Sequence, residues 1–171
     1  MARSNSADLQ ALTFEIDRFY SDESELLERA DYTAWAELLD DELVYVMPQT
    51  EFVDRRVNRD LDYIGAHSFD EDKASVLNRI KWLLGGPTPE VPATKRRMLV
   101  TNVRVLAVHD NGEVDTDSKF LVWEMRSNGR SATFIGHRRD TLRSNGEGWK
   151  IVRRTAVLDS AVLPKSFTNF F

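Results

Sequence analysis

The chain has 171 residues, 42% of them hydrophobic and 30% charged, enough to bury one core under a well-solvated surface. A net charge of −5 argues against a nucleic-acid binder, which would carry a basic face. The absence of cysteine excludes disulfides, thiolate nucleophiles, zinc–cysteine sites and cysteine-held iron–sulfur clusters.

Residues 1–6 have no apolar segment after Arg3, and no apolar run approaches bilayer-spanning length. The expectation is a cytoplasmic chain with no secretory leader and no membrane span. Leu9, Leu12, Ile16, Phe19 and Tyr20 then recur at helical spacing, with Ser6 or Asp8 able to cap the start. A second short helix is expected over 24–30, capped by Ser21 or Asp22, with a break at Asp31-Tyr32. Another helix is expected over 33–39, presenting Tyr32, Trp35, Leu38 and Leu39 on one face. Residues 43–47 read as a strand stopped by Pro48.

Residues 49–67 are polar and read as a loop with one ill-defined turn or strand. Ser68 or Asp70 is expected to start a helix whose stripe is Val76, Leu77, Ile80, Leu83 and Leu84. Gly85-Gly86-Pro87 would end it. From Arg97 the period changes to that of strands. Four long strands are expected, near 97–109, 114–127, 131–143 and 149–159. Asn111-Gly112, Asn128-Gly129 and Asn145-Gly146 join them, and Asn-Gly is the strongest short-range hairpin signal. Strands of this length coil, so the sheet should wrap on the upstream helices. The expectation is one α+β domain over 1–171, helical in 6–40 and 70–85 with a β meander over 97–159. Its shape is a cone of long curled antiparallel sheet.

No histidine lies three or four residues from another, so no local metal signature exists among His67, His109 and His137. No phosphate loop, nucleotide fingerprint or nucleophile elbow is present. A cone can hold a pocket for acid–base chemistry, and Asp31, Tyr32, Tyr45 and His137 are its candidates. The plainer reading makes Asp31 a helix cap, Tyr32 a core residue and His137 a surface or interface residue. The doublets Arg96-Arg97, Arg138-Arg139 and Arg153-Arg154 lie on strands, where alternation sends their members to opposite faces. An inward arginine needs a carboxylate, and Asp115, Asp117, Asp140 and Asp159 are available. Arg97, Arg138, Arg139, Asp140, Phe170 and Phe171 are the interface candidates. The terminal Phe167, Phe170 and Phe171 are too apolar for a frayed tail and should pack.

Taken in order, residues 30–35, 43–48, 96–103, 118–122, 134–140, 148–154 and 169–171 carry a resemblance. They are ADYTAW, LVYVMP, RRMLVTNV, SKFLV, FIGHRRD, GWKIVRR and NFF. Together they resemble the small (β) subunit of bacterial aromatic-ring-hydroxylating dioxygenases. The resemblance implies an NTF2-like (cystatin-like) cone and a structural, non-catalytic role. It implies a large α subunit carrying a Rieske [2Fe–2S] centre and a mononuclear Fe(II), commonly assembled as α3β3. NAD(P)H electrons would reach the α subunit through a reductase, often by way of a ferredoxin. The enzyme would cis-dihydroxylate an aromatic compound with O2 in aromatic catabolism. No cofactor is expected in this chain, since a Rieske centre needs two cysteines. Two alternatives stay open: a free-standing dehydratase or isomerase using Asp31, Tyr45 or His137, and a homotrimeric binding module.

Overall fold

Three Asn-Gly turns organise the C-terminal half. Gly112, Gly129 and Gly146 all have positive φ, between 79° and 87°. Their hairpins join β3 (Lys95–Val108), β4 (Glu113–Met125), β5 (Ser131–Ser144) and β6 (Trp149–Leu158) into an antiparallel meander. The computed structural model describes residues 2–50, 63–85, 94–160 and 170–171. Residues 51–62, the Gly86-Pro87 stop and Phe167 lie outside the described residues.

Among the described residues the sheet has six strands: the four of the meander, the strand expected over 43–47, and one more. β1 (Leu39–Thr50) lies between β6 and β2 (Tyr63–Asp72), giving the order β2-β1-β6-β5-β4-β3. β1 runs parallel to β6, so it cannot join the meander through a hairpin and is not signalled by a turn. Pro48 does not end β1. It sits where the β1–β2 register shifts on both sides, an irregularity that tolerates a residue without an N–H. β2 replaces the expected start of a helix at Ser68 or Asp70. Asp70, Glu71 and Asp72 pair with Val46, Tyr45 and Val44, and the side chain of Asp72 then caps the helix by accepting from Ser75 N at 2.8 Å.

That helix, α3 (Lys73–Gly85), buries Val76 and Ile80, while Leu77 and Leu84 of the expected stripe stay exposed. α1 (Ala2–Glu28) is one helix that runs through Ser21 and Asp22, where a second helix is expected to start, and ends before the expected break at Asp31-Tyr32. The Ser21 and Ser24 hydroxyls donate back to Asp17 O and Tyr20 O instead of capping a new helix. α1 ends in a Schellman motif: Asp31 N donates to Leu26 O and Ala30 N to Leu27 O, with Ala30 at φ 56°. α2 (Tyr32–Ala36) follows at once, capped by Asp31. Ile16, Tyr20, Glu23 and Leu27 follow one face of α1 and are buried, with the concave face of the curled sheet supplying the opposite wall.

Gly136 sets how tightly that sheet curls. A Cβ there would lie 2.1 Å from Val157 O and 2.7 Å from the Phe120 ring. Backbone approach of this kind admits no side chain. Gly136→Ala is expected to lower stability by about 1–3 kcal/mol or more, as overpacking does. A denaturant midpoint equal to that of the unaltered chain would show that β5 and β6 can separate there without cost.

Candidate functional site

Alternation along the strands splits each arginine doublet. Arg96, Arg138 and Arg154 turn inward and are 5%, 0% and 0% exposed. Arg97, Arg139 and Arg153 turn out. Inward arginines must be matched by carboxylates, because an unpaired buried charge is costly. Asp140 serves Arg154 through two hydrogen bonds and also lies 3.7 Å from Arg138. The other partners are Glu23 on α1 and Glu124 on β4, not Asp115, Asp117 or Asp159. Asp117 pairs outside with Arg104 at 2.7 Å, and Asp115 with His109 and Thr141.

Glu23 is the hub. One carboxylate oxygen accepts from Arg154 at 2.5 Å and from the Trp35 indole at 3.0 Å. The other accepts from Arg138 at 2.9 Å and from Arg154 at 3.1 Å. Arg154 also grips Asp140 through two bonds, of 2.9 and 2.7 Å. Two carboxylates and two guanidinium groups thus form a neutral cluster between α1, β5 and β6. Burial alone would push the Glu23 carboxyl up, but Arg154 and Arg138 outweigh it and hold it down at about 2. For Arg154, burial opposes the charge, yet Asp140 and Glu23 raise its affinity for the proton well above the ordinary arginine value. The Arg138 guanidinium lies 4.4 Å over the Tyr20 ring, and the Tyr20 hydroxyl shares a 2.6 Å hydrogen bond with Thr116.

A second inward pair ties the end of α1 to the edge strand. Arg96 donates to Glu124 and to Leu27 O and Tyr32 OH, all at 3.0 Å. Leu27 O is an end carbonyl of the helix, so the guanidinium acts as a cap. Glu28 accepts from Arg97 at 2.9 Å and from Met98 N at 2.8 Å, fixing the same junction from outside.

The rest of the cone interior is aromatic. The Phe170 ring lies 4.3 Å from Trp35 and is roofed by the Arg79 guanidinium at 4.0 Å. The Phe171 ring stacks on Phe120 at 5.2 Å and meets Phe134 edge-on at 5.7 Å. Phe170 and Phe171 are 2% and 0% exposed within this chain alone.

The acid–base candidates are not brought together. Asp31 is exposed and its side chain accepts from Ala34 N at 3.1 Å, as a helix cap. Tyr32 and Tyr45 are buried in the core. His137 is half-buried on the outer face, 4.0 Å from Asp159. Of the interface candidates, Arg138, Asp140, Phe170 and Phe171 are interior to the chain, which leaves Arg97 and Arg139 exposed. Among the described residues, no group of three or more His, Cys, Asp or Glu side chains is placed to hold a metal. No described helix is long and apolar enough to cross a membrane. What the cluster offers chemically is fixed charge: both carboxylates are engaged by guanidinium donors and shielded from water.

The family model described as "Ring hydroxylating beta subunit" matches residues 22–165. The chain is similar to the benzene 1,2-dioxygenase subunit beta of Pseudomonas putida, at 32% identity over 94% of this chain and 88% of the relative. It is 33% identical to the chlorobenzene dioxygenase subunit beta of Cupriavidus sp., with the same coverage. A chain of naphthalene 1,2-dioxygenase, solved with indole in the active site, shares its fold. The TM-score is 0.84 at 21% identity, covering 95% of this chain and 86% of that one. The β subunit of benzoate 1,2-dioxygenase from Burkholderia mallei superposes with a TM-score of 0.66 at 20% identity, covering 84% and 87%.

The charge cluster makes a quantitative prediction. Glu23→Gln leaves two buried guanidinium groups short of one negative charge, and should cost about 3–5 kcal/mol at pH 7. The folded-state pKa of Glu23 lies below its ordinary 4.5, so its contribution is complete above that value and is lost as pH falls toward 2. The drop of some 2.5 units corresponds to about 3 kcal/mol. Urea unfolding of both chains from pH 6 to 2 should show the gap between them narrowing below pH 4.5. A gap under 1 kcal/mol, or one independent of pH, would contradict this assignment.

Proposed function

The chain belongs to the ring hydroxylating β-subunit family, and from that premise we propose that it is the non-catalytic, structural subunit of an aromatic-ring-hydroxylating dioxygenase. The complex would place both atoms of O2 on an aromatic ring as a cis-dihydrodiol, using electrons from NAD(P)H, in the cytoplasm. A large α subunit would hold the Rieske centre and the mononuclear iron and receive electrons from a ferredoxin or reductase. This chain's own residues fit neither group. It has no cysteine for the Rieske cluster, and the described His109, in the β3–β4 turn, and His137, on β5, have different partners.

The observation that carries this reading is the filled interior. Where a cone-shaped enzyme would need an open pocket, the described residues place Phe170, Phe171 and a neutral cluster of ion pairs. A dehydratase or isomerase would need Asp31, Tyr45 and His137 around common space, and they lie on an exposed cap, in the core and on the outer face.

For assembly as α3β3, the exposed outer face of the sheet is the surface we assign to a neighbouring copy. Leu99, Leu121 and Ile135 form one cross-strand row over β3, β4 and β5, with Leu99 and Ile135 60% and 50% exposed. Arg97, Arg104, Lys119 and Arg139 surround it. The opposite side of the molecule presents Glu15, Asp17, Asp22 and Glu25 on α1. A basic, apolar face and an acidic face on one chain suit a head-to-tail ring.

Co-expression with the partner α subunit tests the proposal. The two chains should co-purify. Arg97→Ala combined with Arg139→Ala should weaken assembly by about 2–5 kcal/mol if both charges are desolvated there. Asp31→Ala and His137→Ala should leave turnover per assembled α subunit within about twofold, because neither side chain touches substrate. A hundredfold fall with assembly intact would overturn the scaffold reading, and a chain that converts substrate alone would favour the free-standing enzyme.

A further inference from the structure

Phe171 is held as a bound ligand is held. Its main-chain groups make two kinds of bond to side chains. Its N–H donates to the Tyr45 hydroxyl at 3.0 Å, and its oxygen accepts from the same hydroxyl at 3.3 Å and from Arg154 at 3.1 Å. The Arg154 guanidinium has five N–H donors. Two go to Asp140, two to Glu23 and the fifth to Phe171 O. Arg154 is fully buried, so without Phe171 that fifth donor would point into an aromatic void beside the Tyr45 hydroxyl. Phe120 and Phe134 form the wall for one ring, and Trp35, Tyr32 and Arg79 the wall for the other.

We propose that the concave interior is a binding site for aromatic acyl ligands, an aryl side chain beside a carbonyl or carboxylate acceptor, and that Phe170 and Phe171 occupy it in cis. The aryl walls take the rings, and Arg154 with Tyr45 reads the acceptor. The site belongs to this chain whether or not it joins an α subunit. Displacing the two phenylalanines converts a plugged cone into a receptor for a free aromatic peptide.

The test uses the chain truncated after Asn169, with acetyl-Thr-Asn-Phe-Phe as probe and acetyl-Thr-Asn-Ala-Ala as control. The truncated chain should bind one Phe-Phe peptide by calorimetry and melt at higher temperature in its presence. It should ignore the Ala-Ala peptide. The full-length chain, its site filled, should bind neither. Tyr45→Phe in the truncated chain should weaken binding about tenfold, since it removes the partner of two hydrogen bonds. If the truncated chain is unfolded, refolding with the Phe-Phe peptide should recover folded protein, and its failure to do so would overturn the proposal. Equal binding of both peptides, equal binding by the full-length chain, or no binding at millimolar peptide would also overturn it.

Discussion

The fold depends on matching the positive charges of two buried arginines. Arg138 and Arg154 lie on neighbouring strands and both turn into the cone, because each is the inward member of its doublet. Their charges have no access to water, so the helix that packs there must bring a carboxylate. Glu23 is that carboxylate, and Asp140 supplies the second. The choice of α1 face and its depth in the cone follow from those four groups. Trp35 joins through its indole N–H, which ties α2 to the same hub. Substituting apolar residues at all four positions could give a chain of similar stability, since buried ion pairs stabilise little over packed apolar side chains. What the cluster adds is registration. A helix slid by one residue would leave at least one charge unmatched, at a cost of several kcal/mol.

That registration connects to function through what it leaves no room for. Catalysis needs a group that changes protonation or touches substrate. Glu23 is held ionised by its neighbours, with both oxygens engaged, and the nearest hydroxyls are already bonded. The adjoining space is occupied by Phe170 and Phe171, and the Arg79 guanidinium closes it over the Phe170 ring. A chain built in this way transmits shape. The same strands that turn Arg138 and Arg154 inward turn Arg139 and Arg153 outward, so one alternation sets both the core and the outer charge pattern.

The meander was legible because its determinants are local. Asn-Gly pairs fix three turns, and the lengths between them fix four strands. The alternation of the arginine doublets was legible for the same reason. The length and pairing of β1, read only over 43–47, and the run of β2 to Asp72 were hidden because their signals are not local. β1 pairs in parallel with a strand more than a hundred residues away, and β2 carries an acidic run that also suits a helix start. The continuity of α1 through Ser21 and Asp22 was hidden because a serine hydroxyl that back-bonds within a helix looks the same in sequence as one that caps it. Glu23 was missed as the hub for a related reason. It sits in an acidic stretch of exposed neighbours, Asp22 and Glu25, and only the helical phase set by Ile16, Tyr20 and Leu27 points it inward. That phase was present in the residues and would have found it.

The most direct measurement of this account is the titration of Glu23 itself, followed by the side-chain carboxyl carbon resonance of isotope-labelled protein from pH 8 to 2. The structure predicts that Glu23 stays ionised through the whole range in which the chain is folded, with its midpoint at about 2. A midpoint at or above the ordinary 4.5 would contradict it. Glu23 would then be a carboxyl that exchanges protons in the interior of the cone, and the chain would have an acid–base group where the account places a fixed charge.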